Sequence, residues 1–267
     1  MKYQLTKPFL FLVGFILIVS LACGIGTPEE PAAPAPVEES APAAPVEQPP
    51  TVPPAPTEPT APTEPTAQQF YTETFGSDTS QWTYFLVNGT KSVPTFVEDD
   101  FGVIFVGADD ERLKFTLESE GQWAYVTYDA YEYDNVRLDV VATNRGVNNN
   151  NVSLICRYTP DEGWYEFNIA NSGLYNILHA IVRDDGVVVY TGIADGGSNK
   201  IKSGKETNEY SIICKDRTLT LYINGRETRV LEENNFVLRD GLIGVSVSSF
   251  GTLPVKVEVD SITISQP

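Results

Sequence analysis

From Phe70 to the C-terminus, apolar and polar residues alternate in short runs, most of them closed by glycine, aspartate or asparagine. Alternation of period two puts every second side chain on one face, as a half-buried antiparallel strand requires. The clearest case is Thr218 to Glu227, with Leu219, Leu221 and Ile223 on one face and Thr218, Thr220, Tyr222 and Asn224 on the other. Asn224-Gly225 supplies two residues suited to positive φ, so a type I′ turn should send the chain straight back through Arg226 to Leu231. Val136 to Thr143 reads the same way, with Val136, Leu138, Val140 and Ala142 inward. The predicted strands are 70–75, 82–87, 93–98, 102–106, 112–117, 123–128, 136–143, 152–158, 164–170, 174–182, 187–193, 209–215, 218–224, 226–231, 242–248 and 255–265. No helical periodicity extends beyond about two turns. Short strands with regular turn signals predict an all-β, antiparallel β-sandwich or jelly roll over residues 68–267.

The first quarter is patterned differently. Lys2 and Lys7 precede an apolar run from Phe9 to Ala22, short for a membrane span and suited to the h-region of a signal peptide over residues 1–22. Val19-Ser-Leu-Ala-Cys23-Gly24 resembles a bacterial lipobox. That resemblance implies acylation of Cys23 and attachment to the lipid bilayer on the extracytoplasmic face; an ordinary cleaved signal peptide or an uncleaved anchor is the alternative. Residues 23–67 then form a linker of Pro, Ala, Glu, Thr and Val with the repeat Ala55-Pro-Thr-Glu-Pro-Thr60, Ala61-Pro-Thr-Glu-Pro-Thr66. With no aromatic residue it cannot bury enough apolar surface to offset its ordering entropy, which predicts a disordered stalk biased toward polyproline II. A proline-motif ligand for a partner domain is the other reading.

Charge narrows the partners. The chain carries 36 acidic and 18 basic residues. Setting aside seven linker glutamates and two leader lysines leaves 29 and 16, a net charge near −13 on the domain. Such a surface excludes nucleic acid, whose phosphates need a basic stripe, and disfavours electrostatic docking on anionic lipid.

Several runs carry a family resemblance. Phe75-Gly-Ser-Asp-Thr-Ser-Gln-Trp82, Cys156-Arg-Tyr158 with Trp164-Tyr-Glu-Phe-Asn-Ile169, Leu219-Thr-Leu-Tyr-Ile-Asn-Gly225, and Gly241-Leu-Ile-Gly244 leading to Val257-Glu-Val-Asp260 are similar to concanavalin A-like lectin/glucanase jelly rolls. They resemble in particular the 3-keto-disaccharide hydrolase-like and laminin-G-like branches. The resemblance implies two curved antiparallel sheets, often with a carbohydrate on the concave face or at its rim.

Candidate chemistry is sparse. Cys156 and Cys214 each fall inside a predicted strand; they either pair, closing a loop worth about 4 kcal/mol in the chain-entropy model, or remain buried free thiols. His179 lies in an apolar strand, cannot complete a Cys/His metal set alone, and has no Gly-x-Ser-x-Gly partner motif. Laminarinase-type glucanases of this fold carry Glu-x-Asp-x-x-Glu on one strand, aimed at the cleft. The nearest runs here, Glu132-Tyr-Asp134-Asn-Val-Arg137 and Glu258-Val-Asp260-Ser-Ile-Thr263, lack the last carboxylate, so neither alone supplies the two carboxyls of a glycosidase.

A binding face remains. Alternation sends Tyr165, Phe167 and Ile169 to the core and Trp164, Glu166 and Asn168 to the other side. On the preceding run Leu154, Cys156 and Tyr158 share a face and Arg157 opposes them, so Arg157, Trp164, Glu166 and Asn168 would converge. An aromatic plate beside charged and amide groups suits a saccharide. The same residues can equally be a cross-strand Arg-Glu pair with a packed indole. Trp123, Tyr125, Tyr131 and Tyr133 read as core aromatics. No cofactor is implied; the acidic turns Asp99-Asp100, Asp109-Asp110-Glu111, Asp184-Asp185-Gly186 and Asp195, none at EF-hand spacing, read as solvated turn residues, with a structural Ca²⁺ as the alternative. The sequence thus points to a surface lipoprotein that binds glycan or another extracellular ligand, with a glycoside-processing enzyme or a structural, protein-binding module as alternatives.

Overall fold

Residues 67–89, 95–97 and 104–267 are described in the computed structural model. The predicted signal peptide, Cys23, the linker up to Thr66, and Asp99-Asp100 lie outside the described residues. Sixteen strands and no helix occupy the described part. In chain order they are β1 (Tyr71–Glu73), β2 (Trp82–Asn88), β3 (Thr95–Val97), β4 (Ile104–Asp109), β5 (Arg112–Leu117), β6 (Gln122–Tyr128), β7 (Val136–Asn144) and β8 (Asn150–Thr159). Then follow β9 (Gly163–Ala170), β10 (Leu174–Val182), β11 (Val188–Gly197), β12 (Thr207–Lys215), β13 (Thr218–Ile223), β14 (Arg226–Glu232), β15 (Leu242–Ser249) and β16 (Val255–Ser265). All described pairings are antiparallel, as the alternating patterns predict.

The strands form two sheets. Sheet A has the order β14-β13-β12-β7-β16-β5-β4, with β1 also on β16; sheet B has the order β11-β10-β9-β8-β15-β6-β2-β3. The β13–β14 hairpin turns at Asn224 and Gly225 with φ of 50° and 72°, the two positive values of the type I′ turn. Leu219, Leu221 and Ile223 thereby enter the core with Val136, Leu138 and Val140, where they meet Leu154, Phe167, Ile169 and Val245 from sheet B. Cys156 of β8 and Cys214 of β12 are bonded as a disulfide, Cα atoms 6.7 Å apart, that crosses this core from one sheet to the other.

Two polar devices hold segments to the sandwich. Where the chain enters, the hydroxyls of Tyr131, Tyr128 and Tyr133 donate to the successive carbonyls of Ala67, Gln68 and Gln69 at 3.0, 2.7 and 2.6 Å. These tyrosines therefore use their polar ends on the backbone while their rings pack inside. After β14, the buried Glu233 carboxylate accepts the Tyr165 hydroxyl at 2.6 Å and the amides of Asn235, Phe236 and Val237. His179 lies beside this clasp, its ring stacked on Phe236 at 3.9 Å. It is a packed core histidine, and burial pushes its pKa down.

Candidate functional site

Sheet B has a second apolar cluster on the side facing away from the main core. Phe85, Val87, Tyr125, Ile155, Tyr158, Trp164, Ala180 and Val188 build it. Phe85 stacks on Tyr125 at 4.6 Å and on Tyr158 at 5.0 Å, and Trp164 meets the rings of Phe85, Tyr125 and Tyr158 edge-on. Each such aromatic pair adds about 0.5–1.5 kcal/mol beyond area burial. The sheet curls so strongly that Tyr190 of β11 comes within 6.2 Å of Trp123 on β6, although four strands lie between them.

Glu166 sits among these rings with no exposure to solvent. Its carboxylate accepts four side-chain donors: Tyr125 OH at 2.7 Å, Ser153 Oγ at 2.8 Å, Trp164 Nε1 at 3.1 Å and Asn168 Nδ2 at 3.2 Å. Asn168 is fixed in turn by Asn151, whose Nδ2 donates to its Oδ1 at 2.5 Å. Tyr125 gives its single proton to Glu166, so the 2.8 Å contact between the Tyr125 and Tyr190 hydroxyls draws its proton from Tyr190. The chain Tyr190→Tyr125→Glu166 thus runs in one direction. Burial, then the nearby Glu166, pushes both phenols well above their ordinary pKa, which keeps them protonated donors.

Three of the four sequence-predicted site residues come together. Trp164, Glu166 and Asn168 share one side of β9 because its alternation is unbroken; Gly163, at φ 90°, starts the strand where a Cβ would sit 1.9 Å from the Ala180 carbonyl oxygen. They form a buried layer, however, with the indole at 0 % exposure rather than an open plate. Arg157 does not join them. It adopts φ 58° at a bulge between Cys156 and Thr159, which breaks the alternation of β8. The bulge turns Tyr158 toward the Phe85–Trp164 cluster, against the sequence expectation that it shares the face of Cys156. Arg157 instead donates from Nη1 to the Leu238 carbonyl and from Nη2 to the Asp134 carbonyl. Burial lowers its pKa, and its Nε finds no partner among the described residues.

The sequence also misses residues. Tyr125, which reads as ordinary core, donates to the buried carboxylate, and Ser153 and Tyr190 join it from runs that carry no motif. One signal was present: the Glu-x-Asp-x-x-Glu spacing recurs on β9 as Glu166-Phe-Asn168-Ile-Ala-Asn171, with amides at the second and third places. Asn171 lies past the strand and binds Asn148 and the Gly204 carbonyl, away from Glu166. The two runs weighed in the sequence are elsewhere: Glu258 pairs with Arg145 and Asp260 with Arg112 on sheet A, and Asp134 is exposed in a loop.

Beyond the buried layer, the same face presents accessible groups. Trp123 and Tyr190 are partly exposed, and Trp123 meets Phe250 edge-on at 6.4 Å. Ser153, Asn168, Asn176 and Asp195 are register neighbours across β8, β9, β10 and β11. Among the described residues no three His, Cys, Asp or Glu side chains gather as a metal would need. Asp109 and Asp110 are instead paired with Lys114, and Asp185 with Arg183.

The same sandwich recurs in known structures. A glycoside hydrolase family 16 endo-glucanase from Bacteroides ovatus superposes with a TM-score of 0.53 at 12% identity, over 73% of this chain and 99% of that one. LamAcat from Zobellia galactanivorans gives 0.51 at 11%, over 73% and 96%. A Bacillus subtilis protein of unknown function with a galectin-like fold gives 0.53 at 10%, over 73% and 94%. At these identities the likeness is one of fold, and it bears out the concanavalin A-like jelly roll. No curated protein matches the chain. Residues 71–264, nearly the whole described sandwich, match the model of the 3-keto-alpha-glucoside-1,2-lyase-like domain, and the chain belongs to that family.

Proposed function

We propose that this protein is an extracytoplasmic lipoprotein, held to the bilayer through Cys23, whose jelly roll binds carbohydrate on the outer face of sheet B without turning it over. The observation that carries the binding reading is the state of Glu166. Its two oxygens accept four protein donors and it lies under a closed aromatic layer. A carboxylate that serves as acid, base or nucleophile must reach a reacting atom at hydrogen-bond distance, and a glycosidase needs a second one about 5–9 Å away. Glu166 instead fixes Asn168 and the Tyr125–Tyr190 pair, which orients the groups a sugar would meet.

Titration of the purified protein with a panel of soluble polysaccharides by calorimetry tests binding; heat saturation with the glycan recovered unchanged is expected. A hydrolase or lyase of 3-keto-glycosides is the second reading, favoured by the family to which the chain belongs. Turnover of a 3-keto-glucoside that is lost in Glu166→Gln would establish it in place of the first. Anchoring is tested by labelling cells with a fatty-acid analogue. Label on the wild type and none on Cys23→Ala is expected.

A further inference from the structure

The basic residues of the sandwich are divided unequally between its sheets. Sheet A strands carry Arg112, Lys114, Arg137, Lys215, Arg226, Arg229 and Lys256. Among the described strands of sheet B the only arginine or lysine is Arg157, which is buried against the Leu238 and Asp134 carbonyls. His179 of β10 is likewise buried, under Phe236. The outer face of sheet B therefore offers amides, hydroxyls and rings, with two exposed carboxylates: Asp129, which accepts from Thr83 and Thr127, and Asp195 at the end of the Asn168–Asn176–Asp195 row.

Resting on the carbohydrate-binding reading above, we propose that this face selects neutral glycans and rejects those bearing uronate or sulfate groups, the ligand lying on Trp123 and Tyr190 with hydroxyls on Asn151, Asn176 and Asp195. Three observations support that ligand class. An anionic chain would find no exposed cation on the described strands of this sheet to replace its hydration, and the domain's net charge near −13 repels it before contact. The proton order of the tyrosine chain ties the Tyr190 hydroxyl to Tyr125, which holds its half-exposed ring in place as an apolar plate for a sugar. Finally, Ser246 and Ser248 point to the same face between Tyr125 and Ser153 and between Trp123 and Asn151, their buried hydroxyls without partners among the described residues. A floor with spare hydroxyl capacity suits a polyol, directly or through water.

The test compares mixed-linkage β-glucan, dextran and levan with polygalacturonate, dextran sulfate and chitosan, using the purified disulfide-bonded protein at low and at physiological salt. Saturable binding to at least one neutral polymer, unchanged by salt, is expected, with Trp123→Ala weakening it about tenfold or more and Asn176→Ala several-fold. Because Trp123 also packs on Phe250, the variant at the half-buried Asn176, which carries no aromatic contact, separates lost contact from lost folding. Asp195→Lys should create salt-sensitive binding to polygalacturonate. Preference for a charged polymer by the wild type, or neutral binding that neither variant weakens, overturns this inference and leaves carbohydrate binding standing. Failure of every polymer to bind overturns both.

Discussion

Glu166 shows how one residue can read as part of an open binding face in sequence and lie buried as a fastener in the fold. Four donors converge on it, so Glu166→Gln places an amide hydrogen among groups that all donate. Leaving a buried polar group mismatched costs about 1–3 kcal/mol, and urea unfolding should report a loss in that range with Trp164 fluorescence altered. Two further residues tie stability to pH. Burial pushes the Glu233 carboxyl up, but the Tyr165 hydroxyl and the amides of Val237, Asn235 and Phe236 outweigh it and hold its pKa below the ordinary 4.5. Glu233 therefore contributes stability that is complete above pH 4.5 and is lost as pH falls through its lower folded value. His179 has a folded pKa below 6.5 because burial disfavours its cation. The unfolded chain takes up that proton first, so stability also declines as pH drops below 6.5. Thermal melts across this range should show both slopes, the lower one shallower in Glu233→Gln and the upper one shallower in His179→Leu.

At the scale of strands, legibility depended on whether alternation survived. Strand β9 keeps its period from Trp164 to Ile169, and its two faces follow from the letters alone. Strand β8 does not, because Arg157 takes a left-handed φ that nothing in its own side chain demands. The demand is tertiary: Gly241 packs so closely that a Cβ there would stand 2.6 Å from the Tyr158 carbonyl oxygen, and the guanidinium is drawn to two carbonyls of neighbouring loops. Removing it in Arg157→Ala strands both carbonyls and should cost about 2 kcal/mol by urea titration. The curl that brings Tyr190 to Tyr125 is likewise a property of the whole sheet, invisible in any single run. The disulfide is different again, since both cysteines lie in readable strands but their pairing depends on which sheets face each other. Replacing Cys156 and Cys214 by serine together should lower stability by about 4 kcal/mol, read as a lower urea midpoint with a steeper slope, because the unbridged unfolded chain exposes more surface.

Over the whole sandwich, the charged inventory along the described strands is segregated: cations and their ion pairs lie on sheet A, while sheet B turns rings and amides outward and carries its Arg183–Asp185 pair in the turn after β10. That division gives the sandwich one charged face and one face of rings and amides. The route by which the chain joins this body also matters. Three tyrosine hydroxyls grip Ala67, Gln68 and Gln69, and β1 adds only three residues beside β16. If the chain is anchored through Cys23 as proposed, tension on it would reach these few bonds first. In an optical trap the head should yield in two stages: a low-force release of roughly 50 Å as residues 67 to 81 peel away at about 3.3–3.6 Å each, then a far stronger event. The clip would act as a shock absorber, giving ground under shear while the bridged sheets keep hold of whatever they have grasped.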